Sequence, residues 1–407
     1  MASNPFGKLG LQDAEEALKS IGVDAFFRSA SERLDGAHVV VDGRRLIMAG
    51  SNDYLGLSHH PEVIEAAVAA VRRYGTSVSG SRPLNGTLDL HERLEARLAG
   101  FLGQPSAMVV TTGYQANLAL SALLGPNDVA FSDARNHASL IEATRLGAGS
   151  VQVYRHGDVD HLAELLAQAP AGTGRLIITD GVFSMEGDAA PLRALRQLAD
   201  EHGARLIVDS AHDLGMLGRR GAGLSELCGL EDRTDLITAT FSKALGSIGG
   251  ALAGPAENVR YLRYNARSAT FSAALPPASA AAALTALDVI ESQPERRERL
   301  FRLAEGLHNG ARRLGFDTSP STTPIVPLWF PDIPAAGAYW TALFEEGVFT
   351  NLVGPPAVAP GRAMLRMTLT AGHDNGDLDA VLAAMARATR KLGSPGRPLP
   401  PITLAQV

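Results

Sequence analysis

A single cysteine, Cys228, stands among 407 residues, which excludes an intrachain disulfide and a cysteine-built zinc site. That scarcity points to a reducing compartment, the cytoplasm, and no metal site is expected. Long apolar runs are missing too: no uninterrupted stretch reaches the length a membrane span needs. The opening MASNPFGKLGLQDAEEALKS has no basic start followed by an apolar run, so no secretory signal is expected. Clustered basic residues are also absent. Arg72-Arg73 and Arg219-Arg220 are isolated pairs and the net charge is -6, so the phosphate-neutralising patch of a nucleic-acid binder is not expected.

What is present is material for a large core, with 45% of residues hydrophobic and 20% charged, enough for two or three structural units. After an amphipathic start, Gln12 to Arg33, a hairpin pattern (His38–Val41 and Arg45–Met48) brackets Asp42-Gly43. Pro61 opens a helix to about Tyr74, and Leu90, Leu94, Leu98, Phe101 and Leu102 recur at helical spacing. Candidate strands follow at Ala107–Thr111, Asp128–Phe131, Val151–Tyr154, Arg175–Thr179, Ala204–Val208 and Leu236–Thr240, with helical runs between most of them. That alternation predicts an α/β fold, a mainly parallel central sheet with helices on both faces and ligands beyond the strand carboxyl ends. Helices at Ala278–Ile290 and Pro294–Leu314 lead into a strand, helix, strand, helix pattern over Pro324–Leu328, Ala335–Glu346, Met364–Leu369 and Asn375–Leu392, a small α+β C-terminal domain. The expected division is an N-terminal arm over 1–60, a large domain over 61–290, a small domain over 291–392 and a flexible proline- and glycine-rich tail over 393–407.

The chemistry gathers at DLITATFSKALGSIGGALA (Asp235–Ala253), where a lone lysine, Lys243, follows a buried-strand pattern and precedes Gly246, Gly249 and Gly250. A lysine held off a strand end can be desolvated into a free amine that forms a Schiff base with an aldehyde, and the hydroxyls of Thr240 and Ser242 could hold a phosphate beside it. That pairing points to pyridoxal 5'-phosphate (PLP). Asp209, at the end of the Ala204–Val208 strand pattern, could pair with the pyridine nitrogen, and His212 could donate to the phenolic oxygen. Thr112, Gly113 and Tyr114 offer backbone N–H groups and hydroxyls at a helix start, an anion site. His137 could stack on a flat ring, and Ser184 could also reach the phenolic oxygen. Taken singly, each has a plain structural reading: a solvated lysine, a capping aspartate or threonine, a core histidine.

The pieces TGYQAN, NHAS, DGVFSMEGD, VDSAH and TFSKALG stand in the order and approximate spacing of the α-oxoamine synthases, which are fold-type I PLP-dependent transferases. The chain resembles that family nearly throughout, from SNDYLGLSHHP (Ser51–Pro61) through SGSRPLNGTLDLHERLE (Ser79–Glu95) to LRMTLTAGH (Leu365–His373). The resemblance implies that Lys243 carries the cofactor and removes the Cα proton of an L-amino acid, with His137, Asp209 and His212 completing the catalytic set. Thr112, Gly113, Tyr114, Ser184, Thr240 and Ser242 would help hold PLP, and Ser272 would come from the other chain of a homodimer. Arg366, helped by Asn52, would grip the substrate carboxylate. The implied reaction joins the amino acid to an acyl thioester, on coenzyme A or a carrier protein, with loss of carbon dioxide, giving an α-amino ketone and a free thiol.

Departures from the family pattern bear on the substrate. Ser210 stands where most members carry glutamate. Ser81 stands where glycine-using relatives have threonine, which favours alanine or serine as substrate. SGSRPLNGTLDLH and FTNLVGPPAV are more similar to serine palmitoyltransferase-like members than to the biotin-pathway synthase, 8-amino-7-oxononanoate synthase. Two other readings share the fold: an aminotransferase, and a non-catalytic subunit, against which the joint presence of Lys243, Asp209 and His212 argues. A nicotinamide-dependent dehydrogenase lacks its GxGxxG fingerprint.

Overall fold

The computed structural model describes residues 11–395, so residues 1–10 of the expected arm and 396–407 of the expected tail lie outside the described residues. The chain forms two compact units. One is Asn52–Leu300, and the other joins, among the described residues, 11–51 with 301–395. The segment grouped as an arm over 1–60 is thus divided at Ser51, and the boundary placed at 290 falls at 300.

The Asn52–Leu300 unit is built on a seven-stranded sheet. Its spatial order is Ser106–Val110, Gly250–Gly254, Leu236–Thr240, Arg205–Asp209, Gly174–Asp180, Asp128–Asp133, Ser150–Tyr154. All neighbours are parallel except Gly250–Gly254, which runs antiparallel to the strands on both its sides. Leu236–Thr240 and Gly250–Gly254 are buried at every position, as expected of strands covered on both faces. The edge strand Ser150–Tyr154 is exposed at Ser150, Gln152 and Val153. Met108, Leu120, Ile178, Ile207 and Leu252 meet in one core cluster. The helix Pro277–Ser292 buries Ala280, Ala283 and Ala286, small side chains that let it lie close against the Pro61–Tyr74 helix.

Six of the seven strands fall where alternating pattern placed them. Gly250–Gly254 was not expected, because GALAG is poor in β-branched residues and its glycines read as turns. Glycine is nevertheless required there: a Cβ on Gly250 would lie 2.5 Å from the Thr112 carbonyl oxygen and 2.6 Å from the Gly113 nitrogen. The strand therefore passes directly behind the start of the Gly113–Ala119 helix.

The second unit holds an antiparallel three-stranded sheet in the order Val326–Phe330, Ala363–Met367, Asn351–Val353. A four-stranded sheet joins Ala30–Arg33, His38–Val41 and Arg44–Met48 to the short strand Val348–Phe349. The expected hairpin turns on Asp42 and Gly43, both at positive φ (52° and 71°). The amphipathic start is helical only over Leu11–Ser20. Leu307, Phe316, Leu328, Trp340, Leu365 and Met385 share one core beneath the helices Ile333–Glu345 and Asn375–Leu392. Among the described residues no helix is long and apolar enough to cross a membrane.

Candidate active site

The parallel strands of the seven-stranded sheet deliver their carboxyl ends to one side, and the chemistry-bearing residues follow them. Asp180 and Asp209 are the last residues of adjacent strands and lie in register. Lys243 comes three residues after Thr240, and His137 four after Asp133. Together with Thr112, Gly113, Tyr114, Asn117, Ser139, His212, Thr240 and Ser242 they line a cavity of about 260 Å³. The loop bearing Lys243 is closed on itself, with Gly246 N–H donating to the Lys243 carbonyl (2.9 Å) and Ser247 N–H to that of Phe241 (2.9 Å).

One pole of the cavity suits an anion. Thr112 caps the Gly113–Ala119 helix through an Oγ1 that accepts from Gln115 N–H at 3.1 Å. The Thr240 and Ser242 hydroxyls lie 2.8 Å apart. A Cβ on Gly113 would sit 2.6 Å from Thr240 Cβ, so glycine lets the helix start approach the strand end that supplies those hydroxyls. The opposite pole is acidic. Asp209 is buried, accepting from Asn117 Nδ2 at 2.6 Å and from Ala211 N–H at 3.0 Å.

His137 is exposed as a residue, yet the protein packed around its ring desolvates it, and this, opposed by Asp209 and reinforced by Lys243, lowers the imidazole below its ordinary value. Burial first, and Asp209 next, hold the Asp180 carboxyl well above the usual carboxylate range. Asp180 Oδ2 accepts from the His137 N–H at 2.7 Å. The His212 Nδ1 is hydrogen-bonded to the buried Tyr54 hydroxyl at 2.6 Å.

Nine of the residues singled out from sequence therefore line one cavity: Thr112, Gly113, Tyr114, His137, Asp209, His212, Thr240, Ser242 and Lys243. Others do not line it. Ser184 is half-buried on the segment after Asp180. Ser272 takes a hydrogen bond from Gln115 Nε2 and shares a separate hollow of about 520 Å³ with Ser81. Asn52 keeps a buried Oδ1 without a hydrogen-bond partner. Arg366 belongs to the second unit, buried in the Ala363–Met367 strand. Sequence reasoning passed over Asn117, Ser139, Asp180 and Tyr54. All four sit inside the motifs TGYQAN, NHAS, DGVFSMEGD and SNDYLGLSHHP, and that position was their only signal.

Residues 45–385 match the family described as aminotransferase class I and II. Serine palmitoyltransferase of Sphingobacterium spiritivorum is 42% identical over 377 residues, covering 92% of this chain and 94% of the relative. The 8-amino-7-oxononanoate synthase of Anaeromyxobacter dehalogenans is 44% identical over 352 residues, 86% of this chain and 88% of the relative. This chain is an α-oxoamine synthase of the aminotransferase class I and II family. A solved structure of S. paucimobilis serine palmitoyltransferase, with bound PLP–myriocin aldimine, superposes with a TM-score of 0.92 at 34% identity. It covers 94% of this α-oxoamine synthase and 98% of that chain, so the fold is that of the fold-type I PLP transferases.

PLP is the cofactor of this family, and the cavity fits it. It offers an amine for the aldehyde, a buried carboxylate for the pyridine nitrogen, and a helix start with two hydroxyls for the phosphate. Among the described residues no cluster of His, Cys, Asp and Glu is grouped to hold a metal ion.

Proposed function

We infer that this α-oxoamine synthase condenses a small L-amino acid, alanine or serine, with an acyl thioester, releasing carbon dioxide and a thiol and forming an α-amino ketone. The observation that carries the reading is the convergence of Lys243, Asp209 and His137 on one cavity whose other pole is built for a phosphate. When bound, PLP supplies the electron sink for a carbanion at the amino acid's Cα. Asp209 would accept the pyridine N–H and His212 would donate to the phenolic oxygen, joined there by Ser184 from the segment that follows Asp180. Gly113 N–H and the Thr112, Thr240 and Ser242 hydroxyls hold the phosphate, with Tyr114 beside them. His137 would cover a face of the ring, and Lys243 Nζ would carry the Cα proton away and return it. Arg366 and Asn52 hold the carboxylate that departs as carbon dioxide, in the planar two-point grip a guanidinium provides.

Ser272 acts on the phosphate of a second copy of the chain, which makes the working form a homodimer. Serine is one favoured substrate because relatives over 40% identical include serine palmitoyltransferases, and Ser81 stands where glycine-using members of the family have threonine. Coenzyme A and a carrier protein are both suitable acyl carriers. Purified chain incubated with single amino acids and acyl thioesters, with products weighed by mass spectrometry, tests the reading. An α-amino ketone one carbon dioxide lighter than the sum of the joined pieces supports it. A keto acid formed from the amino acid with no thioester present overturns it in favour of an aminotransferase.

A further inference from the structure

Two buried polar side chains, Asn117 and Ser139, join Asp209 to His137, and Thr238 bonds the Asn117 amide from the other side. Asn117 Nδ2 donates to Asp209 Oδ2 at 2.6 Å and to Ser139 Oγ at 2.8 Å. Asp209 Oδ2 can only accept from it, which orients the amide and leaves Asn117 Oδ1 to accept from Thr238 Oγ1 at 2.7 Å. Both amide hydrogens are then used. Ser139 Oγ accepts one of them, so its own hydrogen is free for His137 Nδ1, 2.6 Å away. The Ser139 backbone N–H also points at that nitrogen, at 3.3 Å. With the backbone N–H of Ser139 donating to Nδ1, that nitrogen is the acceptor, the arrangement in which a neutral His137 carries its proton on Nε2.

We propose that Asn117 is a positioning residue that sets opposite charge states on the two sides of the ring, an anionic Asp209 at its nitrogen and a neutral, Nε2-protonated His137 over its face. The physical need is plain. Asp209 would serve a cationic pyridine ring, and an imidazolium stacked on that cation would repel it. One amide meets both requirements, because it gives one hydrogen to the carboxylate and spends the other on turning the serine hydroxyl toward the imidazole. Asn117, Ser139, Thr238 and Asp209 are all buried, so bulk water cannot replace a missing donor. Thr238 lies on the strand that leads to Lys243, Asn117 on the helix at the phosphate pole, and Ser139 on the helix after His137. Three strand-end segments are therefore held in step by one side chain.

The inference rests on the cavity being the PLP site, and its test separates the two. Histidine-labelled chain without PLP, read by 15N NMR, should give His137 as the neutral Nε2–H tautomer at pH 7. Ser139→Ala should weaken that tautomer preference, leaving only the backbone N–H of residue 139 facing Nδ1, and should leave PLP affinity unchanged, since the Asn117–Asp209 bond survives. Asn117→Ala should do both, altering the His137 signals and weakening PLP binding by about tenfold, the scale of one hydrogen bond to a charged group. Should Asn117→Ala not fold, the Ser139→Ala pair of measurements still decides. An imidazolium or an Nδ1–H tautomer in the unaltered chain overturns the proposal, and so does Asn117→Ala with unchanged PLP affinity. Failure of the unaltered chain to take up PLP overturns the cofactor reading instead, and the tautomer measured without PLP still decides this one.

Discussion

Asp180 and Asp209 end adjacent parallel strands in direct register, two buried carboxyls side by side in one cavity. Two like charges so close in a buried site are not both ionised at low cost. Asp180 is the one whose carboxyl is held well above the usual range, first by its burial and then by Asp209, so of the two it is the one that holds on to a proton. Asp180→Asn imitates the protonated acid and can still accept from the His137 N–H. It should therefore keep PLP absorption and turnover within a few-fold of the unaltered chain. Asp209→Asn should cost about 10²–10³-fold in turnover, the scale of losing one aimed electrostatic partner. Equal damage from the two substitutions would reverse the assignment.

Lys243 should carry the cofactor. Borohydride treatment of the PLP-loaded chain, followed by proteolysis and mass spectrometry, should place the pyridoxyl mass on the peptide containing Lys243. A label on another lysine would remove the basis of the site. Lys243→Ala should still bind PLP and amino acid through the remaining contacts, with turnover lowered by about 10²–10⁴-fold as expected for loss of a positioned base.

Periodicity made the long elements legible. The helix Asn375–Leu392 begins and ends where the pattern placed it, because Asp374 caps it and its apolar residues repeat at helical spacing. Strands without such a pattern were not legible: Gly250–Gly254 lacks β-branched side chains, and Val348–Phe349 and Asn351–Val353 are too short to show a period. Much of the site was legible, because a parallel sheet puts whatever follows each strand on one side. Asn117 was not, since its value lies in hydrogen bonds to Asp209 and Thr238, residues 92 and 121 positions away, which no local pattern encodes. Arg366 was legible only by resemblance, since within a buried strand a lone arginine has no periodic signature.

His156 predicts how stability depends on pH. Burial alone would lower its pKa, but Asp133 Oδ1 at 2.9 Å and Asp188 Oδ2 at 3.0 Å from its two ring nitrogens outweigh burial and raise it to about 9, against 6.5 for the free side chain. The imidazolium thereby ties the end of the DGVFSMEGD segment to the Asp128–Asp133 strand. With the folded value above the unfolded one, this contribution is fully present below about pH 6.5 and declines as pH rises through about 9. Thermal melts of the unaltered chain and of His156→Gln should differ most near pH 6 and converge toward pH 10. A gap that widens with rising pH would contradict the paired imidazolium.

Arg366 separates condensation from transamination. Its backbone carbonyl accepts from Thr350 Oγ1 at 3.0 Å within a fully buried strand, so the main chain beneath the guanidinium is held firmly and the side chain is proposed to grip the substrate carboxylate. Arg366→Ala should weaken amino-acid binding by about 1.5–3 kcal/mol, the worth of a hydrogen bond to a charged group, without loss of bound PLP. Titration of the PLP absorption with alanine or serine measures this directly. With the unaltered chain, amino acid alone should give only slow exchange of the Cα proton with solvent. Adding the matching acyl thioester should release carbon dioxide and thiol in equal amounts, because the electrophile completes the reactive arrangement. An amino acid labelled at its carboxyl carbon should lose the label entirely to carbon dioxide. Label retained in the product would mean that the carboxylate held by Arg366 is not the group expelled, and the condensation reading would give way to the aminotransferase.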